Sequence, residues 1–275
     1  MTAITFIGGG NMASALVGGM LARGQAATAI GVVEPSAEQR QRLADRFPGV
    51  ELFAATDAPA VAGARIVVLA VKPQRMREAC SALAPHVAAV PVVLSIAAGT
   101  RSAEIARWLG GYGRIVRAMP NTPALVGKGI TGVFARSEVD RAAREAAIAV
   151  LDAAGKVLVV EREAMLDAVT GISGSGPAYV FYFLEGLEQA ARELGFAPAQ
   201  ARLLAYTTFE GAIALAQASA ADPASLRAQV TSKGGTTERG IATLEEAAVR
   251  AAFVRAVKSA AARATELGDA TASEA

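Results

Sequence analysis

The sequence predicts an α/β protein. A doubly wound, parallel sheet covered by helices occupies residues 1–161, and an all-helical half follows over residues 162–275. Three observations carry this reading. Apolar runs rich in Val and Ile alternate with amphipathic segments through the first half. A glycine-rich turn joins the first of those runs to the first helix. After Glu161 the strand pattern stops, and long helical patterns separated by Gly or Pro take over.

Apolar runs stand at 3-AITFIG-8, 29-AIGVVE-34, 65-RIVVLAV-71, 91-PVVLSIAA-98 and 114-RIVRAM-119. They are apolar on both faces, which a sheet requires only when helices cover both sides. Segments 131-TGVFAR-136 and 156-KVLVVE-161 extend the sheet. Between the second and third runs, 36-SAEQRQRLADRF-47 reads as a helix opened by a Ser36–Gln39 capping box and closed by Pro48-Gly49. In the second half, 177–195, 198–220 and 243–267 read as long helices, and the Ala-rich tail 269–275 reads as disordered.

Composition narrows the function. Apolar residues make up 53% of the 275 and charged residues 19%, below the usual charged share of about 25%. Runs such as 203-LLAYTTFEGAIALA-216 are too apolar to face water alone, so an obligate homodimer is expected. A net charge of +2 gives no case for nucleic acid or an acidic membrane surface. The longest apolar runs fall far short of the ~20 residues a membrane span needs. One cysteine, Cys80, rules out an internal disulfide, and its expected role is packing. With no signal-peptide pattern in MTAITFIGGG, the expected location is cytoplasmic. The single histidine, His86, follows Pro85 at a helix end, and no Cys/His or Asp/His grouping suggests a metal site.

The first chemical motif is 8-GGGNMA-13, a G-x-G-x-x-A pattern between a strand and a helix. Gly8 makes the tight turn, Gly10 lets a pyrophosphate approach the backbone, and Ala13 lets helix and strand pack closely. The helix start, with Asn11 and Met12, then offers N–H groups to the phosphates. Alone the pattern is a weak signal, since glycine-rich turns are also a common structural feature, but at the start of a βαβ unit it reads as a Rossmann-type dinucleotide site. Glu34 ends the second strand, where an acid accepts from the ribose 2′-OH of NAD and repels the extra phosphate of NADP. A solvated strand-end acid is the plainer alternative, and Arg40 and Arg42 lie near enough in sequence to attract a 2′-phosphate. Loops 70-AVKPQ-74 and 118-AMPNTPALVGKG-129 follow strand ends, where ligands settle in open α/β sheets. Lys72 reads equally as a phosphate contact or as a surface charge.

Two stretches of the helical half are also unusual. In 171-GISGSGPAYVFYFLEGL-187 small residues precede an aromatic helix, whose rings read as packing more readily than as cofactor contacts. In 230-VTSKGGTTERGIATLE-245 two glycines and three hydroxyls lie within Ser232–Thr237, at a helix start. An ordinary N-cap accounts for one of those hydroxyls but not for three.

Together GGGNMA, AVKPQ, SIAAG, MPNTP, GISGSGPAY and VTSKGGTTERGIATLE closely resemble the pyrroline-5-carboxylate reductase family, in the same order over almost the whole chain. The resemblance implies a Rossmann domain followed by an all-helical dimerisation domain, an interlocked homodimer extended in some members to a decamer, and NADPH or NADH as cofactor. It implies 1-pyrroline-5-carboxylate as substrate and L-proline as product, with the active site between the nucleotide domain and helical segments of a dimer. By motif matching, Ser232, Gly235, Thr236 and Thr237 would surround the substrate carboxylate, with Thr237 reaching the ring nitrogen. Gly8, Gly10, Asn11, Met12, Glu34, Ala70, Val71, Lys72, Pro73, Ala98 and Asn121 would line the cofactor. Glu34 departs from the short polar or basic residues common in the family at its position. Two rivals fare worse. A hydroxyacid dehydrogenase commonly needs a lysine on the long central helix, and 164–195 contains none. A redox-sensing regulator leaves the Ser/Gly/Thr turn unexplained and shows no DNA-binding helix pair.

Overall fold

The computed structural model describes residues 3–273. Its strands are β1 (Ile4–Ile7), β2 (Ile30–Val33), β3 (Glu51–Phe53), β4 (Ile66–Leu69), β5 (Val92–Ser95), β6 (Ile115–Met119), β7 (Gly129–Ala135) and β8 (Gly155–Val159). They form one sheet in the order β3-β2-β1-β4-β5-β6-β7-β8. Helices α1 (Asn11–Ala22), α2 (Ala37–Arg46), α3 (Ala58–Val61), α4 (Met76–Leu83), α5 (Ser102–Trp108), α6 (Arg141–Asp152) and α7 (Met165–Val169) accompany the sheet. The helical half contains α8 (Gly176–Glu193), α9 (Pro198–Ala218), α10 (Pro223–Gln229), α11 (Thr236–Glu246) and α12 (Val249–Ser273).

Strands β2, β4 and β5 are buried along their whole length. Because successive side chains alternate across a sheet, they feed two separate cores. Phe6, Val68 and Leu94 pack with Leu16 of α1 and Leu151 of α6. Ile7, Val67 and Leu69 pack on the other face with Met76, Cys80 and Leu83 of α4 and Ile105 of α5. Cys80 is fully buried in that second core, and burial pushes its thiol up to about 12. The residue is packing.

Four sequence expectations need correction. The sheet is not wholly parallel: β7 runs antiparallel to β6, pairing Met119 with Gly132 and Val116 with Ala135. The link between them holds only a 3-10 turn, Thr122–Val126, and a parallel return needs a longer crossover. Strand β3 was not foreseen, since three residues at the sheet edge leave no periodicity to read. The expected helix 243–267 is two helices, broken at Ala247–Ala248, where Ala248 takes a φ of 51°. The tail is not irregular from residue 269, because α12 continues to Ser273.

Contacts gather the described chain into two compact units. One reaches to Ser175 and also takes in the chain from Ser259 onward, and the other is Gly176–Lys258. Within the second unit α8 lies against α9, and Tyr179, Phe183 and Phe253 form a ring cluster with centroids 5.5 and 5.8 Å apart. Among the described residues, its buried hydrophobic side chains are alanines, Ala191, Ala201 and Ala205, whereas Phe181, Tyr182, Leu203, Tyr206 and Ile213 are exposed.

Candidate active site

The glycine-rich turn sits over the carboxyl ends of β1 and β4, where the strand order reverses and open α/β sheets bind ligands. The Gly8 N–H donates to Val33 O at 2.8 Å, which sets the start of the turn. Gly8 has φ +104°, and a Cβ there would lie 2.7 Å from the Ala70 carbonyl oxygen. Gly10 caps α1 without a side-chain hydrogen bond, and no acid stands in the first turn. A Cβ at Gly10 would meet nothing within 4 Å. The N–H groups of Asn11, Met12 and Ala13 have no partner inside the helix and stand at its positive end. That arrangement fits a dinucleotide pyrophosphate.

Glu34 is held by this turn. Its Oε2 accepts from the Gly9 N–H at 3.1 Å and its Oε1 from the Ser36 N–H at 3.0 Å. The expected capping box of α2 forms only in half. Ser36 Oγ accepts from the Gln39 N–H at 3.3 Å, but the Gln39 side chain donates to Gly9 O at 2.9 Å instead of reaching back. The acid has taken the donor that Gln39 was expected to satisfy.

Gly8, Gly10, Glu34, Ala70, Val71 and Lys72 line one crevice of about 700 Å³ with Ser36, Thr56 and Arg75. Pro73 and Ala98 line a second cavity of about 500 Å³ with Arg77, Gly99, Trp108, Thr170 and Leu267. Asn121 has its side chain occupied. It donates to Ser173 O at 3.0 Å and accepts from the Ile130 N–H at 2.9 Å, tying the β6–β7 link to the π-helical turn Thr170–Gly174.

Sequence reasoning missed Arg75, which sits two residues beyond Pro73 and pairs twice with Glu78, at 2.5 and 2.8 Å. It also missed a charge cluster in the same unit, largely buried apart from the exposed Asp269. Arg101 donates to Asp167 at 2.8 Å and Asp269 at 3.2 Å, and Thr265 donates to Asp167 at 3.1 Å. Glu163 accepts from the Ser102 N–H and hydroxyl at 2.7 and 2.6 Å and from Arg117 at 3.1 Å. Burial pushes the Arg117 guanidinium below its usual range, with Glu163 opposing. The cluster fastens α7 and the end of α12 to the sheet. Its hydrogen bonds join residues 46 to 168 apart in sequence, so no local pattern announces it.

The Ser/Gly/Thr turn lies in the other unit. Gly234 has φ +73°, Gly235 is the N-cap of α11 in extended conformation, and no side chain caps that helix. Thr236 and Thr237 open α11, so their N–H groups have no partner inside the helix. Ser232, Thr236 and Thr237 are exposed and Gly235 half-buried. One participant was not foreseen: Glu238 accepts from the Gly234 N–H at 2.6 Å. An acid at the third helical position was its available signal. Among the described residues, no helix is long and apolar enough to cross a membrane and no acid, His or Cys group could hold a metal.

Residues 163–267 match the family model for pyrroline-5-carboxylate reductase dimerisation, and residues 3–99 match that for NADP oxidoreductase coenzyme F420-dependent. The chain is 43% identical to the pyrroline-5-carboxylate reductase of Pseudomonas aeruginosa over 242 residues, covering 88% of each chain. It is 40% identical to that of Corynebacterium melassecola, covering 98% of this chain and 99% of the other. A solved pyrroline-5-carboxylate reductase from Coxiella burnetii superposes with a TM-score of 0.91 at 38% identity, covering 97% of this chain and 98% of that one. The Plasmodium falciparum enzyme, solved with NADP bound, gives 0.85 at 25% identity over the same shares.

Proposed function

The chain belongs to the pyrroline-5-carboxylate reductase family, and from that premise we propose which of its residues carry the reaction. The enzyme reduces 1-pyrroline-5-carboxylate to L-proline with NADPH or NADH, completing proline biosynthesis. When bound, the reduced nicotinamide supplies the hydride that adds to the imine carbon.

The substrate carboxylate rests on the N–H groups at the start of α11, with Ser232 and Thr236 beside it and Gly235 leaving room for its approach. Thr237 accepts a hydrogen bond from the protonated ring nitrogen and fixes the imine plane. An imine takes up a proton readily near neutral pH, so no strong side-chain acid is needed, and orientation supplies most of the rate. Gly8, Gly10, Asn11 and Met12 cradle the cofactor pyrophosphate, Glu34 faces the ribose, and Ala70, Val71, Lys72, Pro73, Ala98 and Asn121 flank the rest of the cofactor. Residues 1–161 form the nucleotide domain, and residues 162–275 form the domain that dimerises and holds substrate. The working assembly is a homodimer that associates further to a decamer. It acts in the cytoplasm on small molecules, without a nucleic-acid partner.

The observation that carries this reading is a helix start capped by glycine, without a side-chain cap, within a Ser/Gly/Thr cluster. The test is oxidation of NADH or NADPH in the presence of 1-pyrroline-5-carboxylate, compared between wild type and Thr237→Ala. Turnover that falls in the variant is expected. Identical kcat/KM in both would remove Thr237 from the site.

A further inference from the structure

The adenosine end of the crevice holds an acid whose position is fixed by the protein itself. Glu34 follows β2 directly, and its own N–H donates to Phe53 O at 2.9 Å, so its backbone continues the sheet. Both carboxylate oxygens accept backbone N–H groups, from Gly9 and from Ser36. Gln39 holds the Gly9 carbonyl at 2.9 Å, and a Cβ at Gly9 would lie 2.5 Å from Leu43 Cδ1. The turn is thus clamped around the carboxylate. The Gly9 and Ser36 N–H groups beside the expected ribose position already hold an anion.

The nearby arginines already have partners, and Arg75 meets its partner Glu78 within the lining of the same crevice. Arg40 Nη1 donates to Glu34 O at 2.6 Å and Pro35 O at 2.8 Å, Arg42 pairs with Glu38 at 2.6 Å, and Arg75 pairs with Glu78. Lys72 also lines this crevice and is therefore tested separately.

We infer that Glu34 sets cofactor specificity in this enzyme and selects the dinucleotide without a 2′-phosphate, so that NADH serves at least as well as NADPH. The identity of the cofactor rests on the reductase reading above. A ribose 2′-OH can donate to a carboxylate that still has lone pairs to offer. A 2′-phosphate has only acceptors to present and brings like charge to within a few ångströms, a penalty of about tenfold or more in binding. The preference runs against the NADP named in the matched family model and bound in the Plasmodium falciparum relative.

Calorimetric titration with ADP-ribose and with 2′-phospho-ADP-ribose reads this without turnover. For wild type, ADP-ribose is expected to bind about tenfold or more tightly than its phosphorylated partner. Glu34→Ser should narrow or reverse that ratio. Glu34→Gln, which retains an amide oxygen for the Gly9 N–H, should move it the same way with the turn intact. In steady state NADH should match or exceed NADPH in kcat/KM for wild type. Equal or tighter binding of the phosphorylated ligand by wild type would overturn the inference, as would a ratio indifferent to both substitutions. So would a preference for the phosphorylated ligand that disappears in Lys72→Ala, which would make Lys72 the selector. Failure to oxidise either cofactor with 1-pyrroline-5-carboxylate would instead contradict the reductase reading and leave the binding comparison standing.

Discussion

Both candidate binding turns place glycine just ahead of a helix start, at Gly8–Gly10 before α1 and at Gly234–Gly235 before α11, yet their surroundings differ. Gly8 is packed so closely that a Cβ would strike the Ala70 carbonyl at 2.7 Å, whereas a Cβ at Gly234 would meet nothing within 4 Å. Gly235 is crowded only by its own loop, through Ser232 O at 3.0 Å. The units that bear them differ in the same way. The sheet fills two cores with large side chains, while the unit Gly176–Lys258 buries little beyond alanines and leaves Phe181, Tyr182 and Tyr206 exposed. One turn is therefore completed by its own unit. The other belongs to a unit whose apolar surface calls for a partner, consistent with the dimerisation family it matches.

The largest effect should separate the turns themselves. Gly8→Val combines a backbone clash with a φ of +104° and should cost about 3 kcal/mol or more of stability, together with dinucleotide binding. Gly234→Ala meets only the left-handed penalty, about 1 kcal/mol. Urea unfolding measures both, and equal losses would erase the distinction drawn between them.

Next comes the exposed face of α8. Phe181→Asp should weaken self-association by about 10- to 100-fold, the loss expected when one large apolar side chain no longer finds cover. Sedimentation over a dilution series reads this directly, and an unchanged profile would mean that the assembly is built elsewhere. A charge reversed on the exposed face of α6 in the sheet unit, as in Arg144→Glu, should leave the profile alone.

Thr237→Ala should lower kcat about tenfold, equivalent to about 1.4 kcal/mol, while cofactor titrations remain superimposable with wild type. A parallel loss of cofactor affinity would tie the second turn to the first and blur the contrast. The smallest expected change is at Glu238, whose carboxylate already holds the Gly234 N–H beside the place proposed for the substrate carboxylate. Glu238→Gln should tighten inhibition by L-proline by about two- to threefold, because exposed charges interact weakly. Weaker inhibition in that variant would show that the acid organises the turn more than it repels the ligand.

What the sequence revealed follows from the range over which each feature is encoded. Seven of the eight strands carry apolar runs and were legible, while β3, with charged Glu51 among its three residues, was not. The reversal of β7 was written in the shortness of the 120–128 link, which a helix-filled crossover could not fit. The tail was misread through its composition: alanine is the strongest helix former, and the Asp269 pairing with Arg101 anchors the last turns of α12. At the site, motif spacing brought out both glycine turns and Glu34. It did not show that Glu34 closes on Gly9, 25 residues away, or that Asn121 spends its amide on Ser173 and Ile130. Local chemistry could be read from the chain, but the partners that fix it could not.

On the proposed reading, the turn before α11 receives the substrate carboxylate. The direct measurement compares 1-pyrroline-5-carboxylate with 1-pyrroline, which carries the same imine without the acid, in wild type at saturating cofactor. For 1-pyrroline kcat/KM should be lower by about 100-fold or more, with most of that gap lost when Gly235→Val blocks approach to the N–H groups. Equal kcat/KM for the two imines would contradict it.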